Sequence, residues 1–180
     1  EALSRVIASM RHADGKIAIE GFYDDVRDLT DAERVQFAHA PYDEIEHKAQ
    51  LGIDEFFGEP GYSNRERNWA RPTLDLNGLW GGFQGNGTKT VIPSKAYAKF
   101  TCRLVEYQDA DKILSLVKAH VAKHTPPGVT IEFVENQGKA RPYHIPVDHP
   151  VTNIVGQVLT EVFNTEPHYA RVGGSIPITE

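Results

Sequence analysis

A single cysteine, Cys102, in 180 residues leaves no internal disulfide to staple the chain. Stability must then come from a packed core, and a cytoplasmic location is the expectation, since free thiols persist there. Long apolar runs are missing too: none approaches the roughly 18 residues a membrane helix needs, and mean hydropathy is −0.42. No membrane partner is expected. Clusters of Lys and Arg interleaved with aromatics are also lacking, which argues against a nucleic-acid partner. An Asn86-Gly87-Thr88 glycosylation triplet is present, in a turn-rich stretch where such triplets arise by chance.

What the chain has is an ordinary globular balance of 40% hydrophobic and 24% charged residues. The net charge of −6 is unevenly placed: residues 1–72 hold 15 acids and 9 bases, and residues 73–180 hold 10 of each. A small or peptidic ligand suits that surface. Residue 1 is Glu, already in helical phase with Leu3, Val6, Ile7 and Met10, and the chain stops after Gly173-Gly174-Ser175-Ile176-Pro177-Ile178-Thr179-Glu180, an apolar approach to a Gly-Gly-Ser turn. The expectation is a piece of a longer polypeptide.

Periodicity predicts an α+β fold. A first helix is followed by a turn at Asp14-Gly15 and a half-buried strand over 16–23. Residues 30–51 favour helix, with Thr30 or Asp31 as N-cap, Glu33 as capping-box partner and a break at Pro41. Residues 52–71 read as a long irregular connection. Strands are predicted over 73–80 and 95–105, the second with Ala96, Ala98, Phe100, Cys102 and Leu104 on one face and Tyr97, Lys99, Thr101 and Arg103 on the other. Between them lies a flexible loop, with five glycines from Gly78 to Gly87. Asp109 caps a helix striped by Ile113, Leu114, Val117 and Val121, a strand follows at 129–134, and Pro150 opens a last helix running to Phe163. The short connection between residues 80 and 95 makes the sheet antiparallel.

Several residues invite a chemical reading. His120 and His124 stand at i, i+4 on one helix, but without HExxH or a third ligand a solvated helix face is expected. His144, Asp148 and His149 also look like ligands, although Asp148-His149-Pro150 is more simply a helix start. The glycine loop lacks the Gly-Lys-Ser/Thr of a P-loop. Thr88, Lys89 and Thr90 follow it and offer hydroxyls and a cation. Arg103 falls on the polar face of its strand, where a guanidinium can grip a carboxylate through two parallel hydrogen bonds. Ser175 lacks the Gly-x-Ser-x-Gly elbow of a hydrolase nucleophile.

Five segments come in a telling order: Arg71-Pro72-Thr73-Leu74, Asn77-Gly78-Leu79-Trp80-Gly81-Gly82-Phe83, Gly85 to Pro93, Lys99 to Val105, and Gly173-Gly174-Ser175-Ile176-Pro177. Together with Gly21 to Val26 and Asp148-His149-Pro150, they resemble the carnosinase and cytosolic dipeptidase branch of the aminoacylase/carnosinase metallopeptidases, clan MH. Members have a two-zinc catalytic domain interrupted by a lid domain through which subunits pair. The resemblance implies a lid over residues 1–142, an antiparallel sheet with two principal helices packed on one face. Residues 143–180 would return to the catalytic domain with a helix and a strand.

By the same resemblance, Thr90 and Arg103 match lid positions that contact bound peptide. Arg103 would hold the peptide's C-terminal carboxylate, often in the active site of the other subunit, and Gly174 and Ser175 match a returning loop that touches substrate. The family's zinc ligands, its catalytic Glu and the lid histidine before the first helix have no counterpart in these 180 residues. The expectation is therefore a dimerisation and carboxylate-binding segment of a zinc-dependent dipeptidase, without catalytic residues, metal ligands or cofactor of its own. Its parent would use two zinc ions and act on small peptides as a homodimer. The alternatives are a free-standing α+β ligand-binding or interaction domain, and an inhibitory or scaffold subunit.

Overall fold

The strict alternation of residues 95–105 is realised as β2 (Ala96–Arg103), which pairs antiparallel with β1 (Thr73–Gly81). The computed structural model describes residues 1–135, 138–146 and 148–173. Thr73 lies opposite Arg103 at one end of this ribbon and Gly81 opposite Ala96 at the other. The register slips by one residue between Leu76 and Gly78, which leaves Asn77 as a bulge. Before the bulge, Leu74 and Leu76 stand opposite Cys102 and Phe100, on the core face. After it, Gly78 and Trp80 stand opposite Lys99 and Tyr97, on the solvent face. Trp80 and Tyr97 stack there with ring centroids 5.1 Å apart, and Lys99 Nζ lies 5.6 Å from the indole.

Two helices cover one half of the other face. On α1 (Ala2–Ser9) and its C-cap, Val6 and Met10 are buried; on α5 (Ala110–His124), Ile113 and Val121 are. They meet Leu74, Ile17, Ile19 and Phe22 in one cluster, with Phe100, Cys102, Leu104, Leu116 and Val117 packed against it. Phe22 is the most buried large side chain, at 1% exposure. Buried Gln108 ties its neighbourhood together, donating from Nε2 to Phe22 O at 2.9 Å and accepting from Val105 N at 3.0 Å. This is the α+β arrangement of a sheet with two principal helices on one face.

The predicted caps hold. Thr30 and Glu33 form a reciprocal capping box on α2 (Asp31–His39), and α3 (Glu44–Leu51) follows the break at Pro41. Asp109 accepts from Lys112 N at the start of α5. Pro150 occupies the first turn of α6 (Pro150–Phe163), whose N-cap is His149, accepting from Val151 N through Nδ1.

Three expectations need correction. Residues 16–23 form no strand: a lone bridge joins Arg11 to Ile17, and the chain then turns through Gly21, whose φ is +79°. The alternating Ile17 and Ile19 are buried inside that compact turn instead. Residues 129–134 form no ladder either, because Val129, Ile131 and Phe133 are each at least 37% exposed and no buried face pins a register. The supposed connection 52–71 contains α4 (Asn64–Ala70), started by a Ser63–Glu66 capping box. The strand expected after α6 is not formed as far as Gly173, and residues 174–180, where it would continue, lie outside the described residues.

Candidate functional site

Arg103 is the last residue of β2 and stands on its exposed face. Its backbone N–H is donated to Thr73 Oγ1 across the ribbon at 3.3 Å, and its Nη1 donates to Gly173 O. The strand thus carries the guanidinium to the segment directly before Gly174. Gly173 also packs close, with the position of a Cβ on it 3.5 Å from Arg103 Cδ. Among the described residues no carboxylate forms an ion pair with Arg103. Its partner is a neutral carbonyl, which leaves the positive charge uncompensated. Gly174 and Ser175 themselves lie outside the described residues.

Thr90 is exposed in the loop beyond Gly81 and Ala96. The structure does not bring it to Arg103: the length of β2 separates them, and eight residues at ~3.3 Å each span about 25 Å. Around Thr90 the loop gathers apolar side chains that sequence periodicity does not reveal. Ile92 is 98% exposed, and Leu79, Phe83 and Val91 are also out in solvent.

Behind Gly173 stands a closed ring of five charged or titratable side chains. Arg27 donates two hydrogen bonds to Glu33, each 2.7 Å, and a third through Nε to Glu106 Oε1 at 2.6 Å. His144 Nδ1 pairs with Glu106 Oε2, Arg171 Nη2 pairs with Glu33 Oε1, and Arg171 Nη2 also reaches His144 Nε2 at 2.9 Å. Glu33 is 8% exposed. The hydrogen bonds from Arg27, with those from Thr30 and Arg171, hold its carboxyl well below the usual carboxylate range despite burial. Arg27 is raised in turn, chiefly by its hydrogen bond to Glu33. Sequence reading found Glu33 as a cap and His144 as a possible ligand; it had no signal for the ring.

The histidine pair on α5 differs from expectation. His120 is buried rather than solvated, with Nε2 3.0 Å from Ser9 Oγ on α1, and its ring stacks on His124 at 4.1 Å between centroids. Burial lowers its pKa, helped by His124. His149 is spent on its cap, and His144 on the ring. Among the described residues no three His, Cys, Asp or Glu side chains converge as metal ligands. These donors do not fit a metal centre. Cys102 is half-buried beside Asp75, and burial pushes its thiol up to about 11, so it is not a reactive thiolate.

Residues 1–129 match the family described as the peptidase dimerisation domain. The chain is 30% identical, over 98% of its length, to the Cys-Gly metallodipeptidase of Schizosaccharomyces pombe, and 27% identical over 99% to the Beta-Ala-His dipeptidase of Homo sapiens. It spans 38% and 36% of those two relatives. Among solved structures, it is similar to an M20 family metallo-carboxypeptidase from Sulfolobus solfataricus, with a TM-score of 0.82 and 32% identity, covering 99% of this chain and 40% of that one. It is similar also to human carnosine dipeptidase 1, with a TM-score of 0.77 and 26% identity, covering 98% of this chain and 38% of that one.

Proposed function

The chain belongs to the peptidase dimerisation domain family, and from that premise we propose that it is the lid and pairing segment of a metal-dependent peptidase acting on small peptides with a free carboxylate. Residues 1–142 form the lid in this reading, and residues 143–180 lead into the catalytic domain. The observation that carries it is Arg103: an exposed guanidinium at the end of a strand, beside Gly173, with no carboxylate partner among the described residues. A substrate carboxylate would complete the bidentate pair that the site lacks. Gly174 and Ser175, outside the described residues, join the site by the resemblance alone, as contacts to the same substrate.

Self-association is supported by the placement of Thr90. If Thr90 and Arg103 both touch substrate, one small peptide cannot bridge the roughly 25 Å between them along one ribbon. Two copies, with the loop of one reaching the Arg103 end of the other, meet that requirement. The exposed Leu79, Phe83, Val91 and Ile92 around the loop supply apolar surface for such pairing.

The metal, two zinc ions by resemblance, would be held by residues of the parent protein outside these 180, and it would activate the attacking water. This segment contributes binding and orientation rather than the chemical step, and the cytoplasm is its proposed location. The deciding test is steady-state kinetics of the full-length enzyme with Arg103→Ala. A large rise in KM supports the anchor, and unchanged kinetics reject it.

A further inference from the structure

The ring of Arg27, Glu33, Arg171, His144 and Glu106 draws on five separate parts of the chain: the approach to α2, α2 itself, the turn after β2, and the two segments flanking α6. Hydrogen-bond chemistry fixes the state of its histidine. Arginine can only donate, so His144 Nε2, 2.9 Å from Arg171 Nη2, must accept. Glu106 can only accept when ionised, so His144 Nδ1 must carry the proton. The imidazole is therefore neutral, in the Nδ1–H form, and the ring holds two cations against two anions.

A second proton on His144 has one place to go, Nε2, where it would face the Arg171 guanidinium. The charged groups around the imidazole are Glu106 after β2, Arg171 after α6, Arg27 before α2 and Glu33 on α2. Glu106 keeps its hydrogen bond in either state; the Arg171 contact turns from attraction to repulsion. Arg171 is the member set directly against the new charge, and it keeps Glu33 as its ion-pair partner as it withdraws from the imidazole. Two residues further on, Gly173 O is the acceptor for Arg103.

From this we infer that Glu33, Arg171 and His144 are positioning residues: they set the loop segment 171–173 against Arg103, and protonation of His144 loosens that contact. The inference rests on the reading above that Arg103 anchors substrate beside that loop. It predicts a peptidase whose hold on substrate weakens in acid through a group that never touches the substrate.

The ring is tested first on this 180-residue chain, by imidazole nitrogen NMR between about pH 8 and 5, the span over which histidines change charge. The expected result is His144 as the Nδ1–H tautomer at the upper end, with Arg171 side-chain signals moving in the same transition as His144. An Nε2–H tautomer, or Arg171 signals indifferent to His144, overturns the inference. In the full-length enzyme, His144→Gln is the informative variant, because an amide can donate to Glu106 and accept from Arg171 but cannot take up a proton. The native enzyme is expected to raise its KM roughly tenfold across the acid limb, the worth of one charge-assisted hydrogen bond. His144→Gln should lose that rise. An identical acid rise in His144→Gln overturns the inference. The NMR result stands independently of Arg103 kinetics, so failure of the anchor and failure of the ring are told apart.

Discussion

Ser9 on α1 and His120 on α5 are joined at 3.0 Å, although 111 residues separate them in the chain. The serine hydroxyl donates to Val6 O at 2.7 Å, so it receives the imidazole Nε2–H rather than giving its own proton. Burial, with His124 beside it, favours the neutral form of His120 at the seam between the two helices that cover the sheet.

Acid should act on that seam. Burial depresses the folded-state pKa of His120, so the unfolded chain binds the proton more readily. Stability from this group is present above the unfolded histidine pKa, about 6.5, and is lost as pH falls through the depressed folded value. Melting temperature measured from neutral to mildly acidic pH is expected to drop, and His120→Gln should flatten the decline. An equal decline in the variant would assign it elsewhere.

Removing the other side of the pair costs stability at neutral pH. Ser9→Ala leaves a buried imidazole N–H without its acceptor, a loss of about 1–3 kcal/mol. Urea titration of the two proteins checks it, and a change within error would mean that water replaces the hydroxyl.

Phe22 gives a larger effect of a different kind. At 1% exposure in the central cluster, its replacement by Ala opens a cavity and is expected to cost about 3–5 kcal/mol. A loss near zero would mean that the compact turn holding Phe22 re-forms without it.

Arg103→Ala in the full-length enzyme should raise KM for a free-carboxylate peptide by roughly tenfold to a hundredfold, from loss of charge-assisted hydrogen bonds. Arg103→Lys should recover part of this, since an ammonium supplies charge without the planar fork. The comparison to make is with a peptide amidated at its C-terminus, for which the native and Arg103→Ala enzymes should behave alike.

Pairing is read from molar mass. Light scattering over a dilution series should approach twice 20.1 kDa, and Ile92→Asp should shift the chain toward the monomer, because Ile92 is the most exposed apolar residue of the loop. A monomer at every concentration would remove self-association from the reading of these 180 residues.

How much of this could be seen in the sequence depended on distance along the chain. Caps are local: Thr30 with Glu33, Asp109 and Pro150 each signal within four residues, and each is where the pattern puts it. So is β2, whose alternation is uninterrupted. Helix α4 was missed because Asn64 to Ala70 has no apolar period; its one signal was the Ser63-x-x-Glu66 box, set inside a stretch that otherwise reads as loop. The buried state of His120 and the ring around His144 have no local signature at all, since their partners come from remote segments. Arg103 lies between these cases. Its face was legible from strand alternation, but its closeness to Gly173 required the fold.

The bulge at Asn77 works on the ribbon as a frameshift works on a gene. One supernumerary residue leaves everything upstream unchanged and inverts the meaning of everything downstream, so that Trp80 is displayed beside Tyr97 where the earlier phase, kept by Leu74 and Leu76, would have turned it inward. Absorbing Asn77 into a regular ladder would restore that phase, swallow the indole, and deliver Leu79 to the outer side in its place. The loop carrying Thr90 would then be launched from a ribbon rotated by half a turn. A chain could keep every side chain of that loop and still present it from the wrong face, for want of one residue left unpaired in the ladder.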